Sequence, residues 1–414
     1  MVCLTMNLIG KQGIEFQLSL ALMLQKIKYL LKKEIQCFIN QQLEKPAADL
    51  LFLAKRYPEW DMPSIAQQLE GKQKAKGKIP TWFNTYNILY PVRLSLEQCS
   101  SEETAKYKAK IIQGKRFIDV TGGFGVDTYF ISESFKQSVH CEINEDLHHI
   151  AQHNFKILGS GIKSLHQNGL KYLQTVQEKF DLIYIDPARR NKLNQKVVKL
   201  SHYTPNILEH MDLLFKKGVN ILVKTSPFLD IKQVLKELPF VKEIHIVSLK
   251  NECKEVLYLL DQKHTEEVKL HCIDINQSKF SFSYSQENET APLSDPLDYL
   301  YEANTSILKA GAFNSIAKNF KLRKLHINSH LYTSHDLVEN FPGRTFKVNA
   351  ICKFDKKELL KHISNKKANI TRRNFPASVA EIRKKTGLKE GGQHYLFATT
   401  LKDNQPKILI CSKI

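Results

Sequence analysis

The 414-residue chain has eight cysteines but no CxxC pair, and no HExxH motif occurs. A disulfide framework and the commonest zinc sites lose their signatures, so free thiols in a reducing, cytoplasmic compartment and no metal are expected. No apolar run reaches the ~20 residues of a membrane-spanning helix. The longest near the start, FQLSLALML, is broken by Gln17; a single lysine, Lys11, offset by Glu15, precedes it and the lysine cluster follows it, which is the wrong order for a secretory signal. An amphipathic helix, or a true start at Met6 or Met23, accounts for it. Internal repeats, low-complexity tracts and the GxGxxG fingerprint of dinucleotide sites are also missing. Acidic residues are scarce: 42 Asp/Glu face 61 Lys/Arg, a formal charge of +19. That balance favours a polyanionic partner through long-range attraction and counterion release. From Phe341 to Ile414 there are 17 Lys/Arg against 5 Asp/Glu, so +12 of the excess lies in this stretch.

What is present divides into zones. A hydrophobic share of 42% and a charged share of 25% are those of a globular protein, long enough for several cores. Residues from about Gln17 to Glu70 carry apolar positions at three and four spacing, which predicts helices. KQKAKGKIPTWFNTYNILYP then reads as a lysine loop feeding four aromatics, either a docking segment or a strip that touches nucleic acid. Ser100, three residues before Glu103, has the spacing of a capping box. Strand and helix alternate from 116 to 238, and two strands, VKEIHIVSLK and CKEVLYLLD, close the series as a hairpin. This predicts an α/β fold: a mostly parallel, doubly wound seven-stranded sheet ending in an antiparallel hairpin. Residues 263–340 read as a small α+β unit, and 341–414 as a basic one. The expected domains are therefore 1–100, 101–262, 263–340 and 341–414.

Two motifs carry chemistry. In DVTGGFGVD, Asp119 ends a strand and Gly122, Gly123 and Gly125 make a turn, while Glu142 ends the next strand in CEIN. An acid there can accept hydrogen bonds from both hydroxyls of a ribose. The turn lacks the spacing for a diphosphate and places Asp127 where a diphosphate would be repelled, but carboxylates suit a cationic sulfonium donor, S-adenosylmethionine. The second motif, YIDPARR, ends a buried strand. Asp186 and the turn fixed by Pro187 can accept hydrogen bonds from an exocyclic amine, aligning its nitrogen with a methyl group, and Arg189 and Arg190 suit phosphate. Lys224 and Ser226 in VKTSP either bind substrate or cap a loop, and Asn251-Glu252 is either a hairpin turn or a substrate contact.

These motifs, with IPTWF, SSEETAKYKA, YLYEANTSILKAGAF, NSHLYTS, FPGRTF and KKANITRRNFP, resemble class I S-adenosylmethionine-dependent methyltransferases, more closely a bacterial family with a THUMP-like C-terminal domain. The resemblance implies a helical N-terminal region, a Rossmann-like catalytic domain, a ferredoxin-like unit and a THUMP-like end that binds tRNA or rRNA. It places Asp119, Thr121, Gly122, Gly123, Phe124, Gly125, Asp127, Glu142 and Asn168 at the donor. It makes Asp186, Pro187 and Arg189 catalytic, and Arg190, Lys224, Ser226, Lys366, Lys367, Arg372 and Arg373 contacts to the substrate. Three positions depart from the pattern. Thr121 replaces the first glycine, Arg189 replaces the aromatic residue of amine-methylating tetrapeptides, and Asn168 stands where an acid usually meets adenine. A catalytically silent RNA-binding protein and a small-molecule methyltransferase are the alternatives.

Overall fold

A computed structural model describes residues 21–189 and 199–414. Arg190, Met6 and most of FQLSLALML lie outside the described residues. The chain divides into two compact units, one of residues 1–188 and 205–222, the other of residues 189–204 and 223–414.

In the first unit four strands, β1 (Gly114–Asp119), β2 (Phe135–Glu142), β3 (Lys163–His166) and β4 (Phe180–Ile185), pair in parallel where pairing is resolved: β1 with β2 and β4, β2 with β3. Phe117, Ile118, Leu182 and Ile183 are all buried, as strands covered on both faces require. Helices Val126–Ser132, Glu145–Ile157 and Gly169–Thr175 fill the connections, the last two capped by Asn144 and Asn168, whose side chains accept from the backbone three residues on. Before the next strand come a 3-10 turn, Ile207–His210, and helix Met211–Lys217.

The N-terminal helices share a core with helices Val126–Ser132 and Glu145–Ile157. Trp82 is fully buried against Tyr129, at 4.9 Å between ring centroids, and Phe130, at 5.7 Å. Asn154 receives the Leu89 N–H and donates to the Leu89 carbonyl, both at 2.9 Å, so the segment before β1 is tied to helix Glu145–Ile157. The lysine run is not a loop: it forms the last turns of helix Met62–Lys78. Lys74 pairs with Glu97 at 2.6 Å, Lys76 with Glu44 at 3.5 Å, and Lys78 donates to the Leu96 and Glu97 carbonyls, so these ammonium groups have protein partners where a nucleic-acid strip was one alternative. The cap of helix Glu102–Lys108 is Ser101, whose hydroxyl accepts from Thr104 N; Ser100 sits one residue too early and is recruited elsewhere.

Strand β5 (Gly218–Thr225) runs through both units, and in the second it is followed by β6 (Val241–Leu249) and β7 (Glu252–Asp261). In the second unit β6 and β7 pair antiparallel. Lys250 and Asn251 join them with φ of 53° and 58°, the left-handed pair of a tight type I′ hairpin. Asn251 also accepts from Thr305 N through its side chain at 2.8 Å, so the hairpin reading of Asn251-Glu252 is the one the contacts support.

Strands β8 (Lys269–Asp274) and β9 (Ser278–Ser283), grouped from sequence with the following α+β segment, instead extend this sheet: β8 pairs parallel with β6, and β9 antiparallel with β8. Strands β10 (Tyr299–Ala303), β11 (Arg323–Lys324), β12 (Leu331–Ser334), β13 (Gly343–Cys352), β14 (Asn369–Arg373), β15 (His394–Thr400) and β16 (Pro406–Lys413) form one seven-stranded sheet in the order 11-12-10-13-16-15-14. It curls strongly. Arg373 on edge strand β14 meets Glu302 on β10 at 2.8 Å, and Arg344, opposite Glu302 on β13, pairs with the same buried carboxylate.

Candidate donor and target site

The glycine turn is held from below. Asp119, at the end of β1, is completely buried; Thr128 Oγ1 donates to it at 2.6 Å and the Thr121 N–H at 2.9 Å. Loss of hydration pushes its carboxyl up to about 7, with the charges of Asp127 and Asp186 adding to the rise and the two hydrogen bonds opposing it. Gly123 and Gly125 adopt φ of 55° and 86°, conformations that glycine reaches without strain. A Cβ on Gly123 would meet only the Thr121 carbonyl, at 4.0 Å, which leaves open space over the turn.

Gly122 is needed for another reason. Its φ is not left-handed, yet a Cβ there would fall 2.2 Å from the ring of His140. His140 is fully buried on β2, with Nε2 3.3 Å from the Gly123 carbonyl and Nδ1 3.0 Å from Ser164 Oγ, which in turn lies 3.1 Å from His148 Nδ1. Burial lowers the pKa of His140 and of His148 to about 4, so both are neutral at pH 7. The sequence reading missed this support. Its signal was the period of two in SVHCE, which puts His140 on the same face of β2 as Glu142.

Glu142, at the tip of β2, accepts from Gly123 N at 2.7 Å and from Asn144 N at 2.6 Å. Its carboxylate therefore sits at the rim of the turn. Asn168 is exposed at the start of helix Gly169–Thr175, where its side chain accepts from Lys171 N at 3.1 Å. Phe124 is buried in the core that contains Trp82, and contributes packing beneath the turn.

Asp127 differs from the expectation of a direct donor contact. Its carboxylate accepts from Ser100 Oγ and Tyr184 OH, both at 2.7 Å, and pairs at 3.1 Å with Lys108, whose side chain is wholly buried. These partners lock the start of helix Val126–Ser132 to strand β4 and to helix Glu102–Lys108.

Thr121 has its own task. Its hydroxyl accepts the Asp186 N–H at 2.7 Å, joining the glycine turn to the tetrapeptide. Asp186 is half-buried and Pro187 buried, while Arg189 lies in the two-residue strand Ala188–Arg189. In the second unit, Lys224 and Ser226 are half-buried at and just past the end of β5, and Ser226 Oγ accepts from Phe228 N at 3.3 Å, a loop-capping contact. Lys366 and Lys367 are exposed, and Arg372 is exposed with its Nε donating to the Phe375 carbonyl at 2.8 Å. Arg373 is already committed to Glu302, which takes it from the expected set of open phosphate contacts.

Parallel strands in the order 3-2-1-4, with a glycine turn after β1 and an acid at the tip of β2, are those of a class I, S-adenosylmethionine-dependent methyltransferase. The crystal structure of a candidate methyltransferase from Porphyromonas gingivalis W83 is 31% identical, covers 92% of this chain and 98% of its own, and superposes with a TM-score of 0.82. The chain belongs to that protein's family. Family matches also identify a ferredoxin-like domain at residues 299–342 and a THUMP-like domain at 343–413. M. capricolum TrmK, solved with S-adenosyl-homocysteine, is 17% identical over 40% of this chain and 71% of its own, with a TM-score of 0.30. T. thermophilus RsmC, a 16S rRNA methyltransferase, is 13% identical over 42% of this chain and 44% of its own, with a TM-score of 0.31. No curated protein sequence matches. Among the described residues no helix is long and apolar enough to cross a membrane.

Proposed function

We propose that the protein methylates a nucleobase of structured RNA, tRNA or rRNA. The observation that carries the reading is the Thr121–Asp186 hydrogen bond, which fixes the glycine turn and the target tetrapeptide in one frame. When bound, S-adenosylmethionine supplies an electrophilic methyl group on a cationic sulfur. The residues fit it: the space over Gly123 admits a ligand against the backbone, and no phosphate-binding helix terminus is required.

Glu142 would accept from the ribose hydroxyls, Asn168 would contact the adenine edge, and the backbone from Thr121 to Gly125 would line the methionine end over Asp119. Asp127 acts as a positioning residue, because its carboxylate is committed to Lys108, Ser100 and Tyr184. Asp186 and the carbonyl beside Pro187 would accept the hydrogens of a base amine and orient its lone pair, a restriction of approach that supplies several kcal/mol of a barrier. Arg189 and Arg190 would hold phosphate or stack on the base. Lys224, Ser226, Lys366, Lys367 and Arg372 would add contacts to the RNA backbone, in keeping with the +12 charge of residues 341–414.

The test is incubation of RNA from a deletion strain with the enzyme and labelled donor, followed by nucleoside mass spectrometry. One modified nucleoside, absent from the deletion strain, is expected, together with a donor affinity at least tenfold weaker in Glu142→Ala. Transfer to small anions but not to RNA would refute the substrate class. Arg189 in place of the aromatic favours a second reading, a silent RNA-binding protein; it predicts RNA and donor binding with no label transferred.

A further inference from the structure

In the second unit three side chains meet on one face of the sheet. Glu243 and His245 stand two apart on β6 and so point the same way. His271 on β8 is the direct parallel partner of His245. Glu243 Oε2 lies 3.2 Å from His245 Nε2 and 3.5 Å from His271 Nε2, and the donor atoms of all three residues fall within 4.8 Å of one another. Zinc bonds of ~2.0–2.2 Å to nitrogen and oxygen in tetrahedral geometry separate neighbouring donors by about 3.3 Å. The two oxygen-to-nitrogen separations already match.

We propose that Glu243, His245 and His271 form a three-ligand site for a divalent transition metal of the zinc class, clamping β6 to β8.

The surroundings supply what such a site needs. His271 Nδ1 is 2.8 Å from Ser281 Oγ on β9, directly across the strand pair, so the hydroxyl can accept a proton on Nδ1 when Nε2 binds a metal. Metal-bound histidines are ordinarily oriented by such an outer partner. His245 is buried, so its ring is held in place by the packing around it. Glu243 provides the one carboxylate of the cluster. Its side chain is 26% exposed and that of His271 15%, so a metal can enter and a water can complete the tetrahedron. Lys279 on β9 acts on His245 as a neighbouring positive charge and opposes any cation, which argues for an open site of moderate affinity.

The experiment uses the full-length, tag-free protein stripped with a chelator, titrated with zinc by calorimetry and with cobalt by visible absorption. One equivalent of zinc at micromolar or tighter affinity, with a tetrahedral cobalt spectrum, is expected. His271→Ala and Glu243→Gln should each weaken binding at least a hundredfold, and Ser281→Ala about tenfold. Ser281→Ala removes no ligand or core atom, so it keeps the test decisive should the other variants misfold. Absence of zinc uptake by the wild-type chain at ~100 µM metal, or uptake unchanged in Ser281→Ala and in either ligand variant, would overturn the assignment and leave a hydrogen-bonded cluster.

Discussion

Substituting Gly122 by alanine tests whether the buried histidine, not the backbone, dictates glycine at this position. The added Cβ would lie 2.2 Å from two ring atoms of His140. The ring cannot simply swing aside, because it is fully buried, bonded at both nitrogens and packed edge-on to Phe155 at 5.2 Å between centroids. Forcing a methyl into a filled core costs ~1–3 kcal/mol, and breaking one hydrogen bond adds ~1 kcal/mol, so Gly122→Ala should destabilise the first unit by about 3 kcal/mol. Both tryptophans, Trp60 and Trp82, belong to that unit's core, so their fluorescence during urea unfolding reports this unit and not the other. With a urea slope of ~2–3 kcal/mol/M for a unit of this size, the midpoint falls by about 1 M. His140→Ala alone should cost ~2–4 kcal/mol through the cavity it opens. Adding Gly122→Ala to it should cost little, since the new methyl then occupies vacated space, giving a coupling of about 2 kcal/mol. Costs that add to within ~0.5 kcal/mol would refute the reasoning, because independent sites behave that way.

Two further perturbations act on the same floor. Lys108→Met strands the Asp127 carboxylate in the interior and should destabilise the first unit by ~3–5 kcal/mol, measured by the same unfolding assay; Asp127→Asn in the same chain should recover much of the loss. Asp119, raised by burial from 3.8 to about 7, binds its proton more tightly folded than unfolded, so its contribution to stability is fully present below about pH 4 and is lost as pH rises through 7. Unfolding followed across pH 4–8 should show this loss in the wild type, by as much as ~4 kcal/mol, and not in Asp119→Asn. Because a cationic donor favours the ionised carboxylate, donor affinity should rise over the same window.

Much of this was legible in the chain. Alternating strand and helix periods located β1 to β7 within a few residues, because buried parallel strands leave short apolar runs between capped helices. Asp119, Gly123, Gly125 and Glu142 could be chosen from spacing, since they sit where strands end and the backbone must turn. What escaped depends on who meets whom. That Asp127 belongs to Lys108 and Tyr184, and Arg373 to Glu302, follows from contacts across 19, 57 and 71 residues that no local pattern encodes. The lysine run was misjudged as a loop because its partners, Glu44 and Glu97, lie far off in sequence. The membership of β8 and β9 in the larger sheet was hidden for a like reason: their alternation shows strands, but not which edge they join.

The hydroxyl of Thr121 deserves a last consequence. Where the common pattern has a glycine, this chain has a side chain that grips the residue beginning the tetrapeptide 65 positions later. A glycine can be replaced without disturbing a distant motif; Thr121 cannot. Changes that retune the target turn must preserve the geometry of the Asp186 amide, and changes that retune the turn over Gly123 must preserve the hydroxyl. If the two turns hold donor and target as proposed, both halves of the chemistry are bound to vary together through this one hydroxyl.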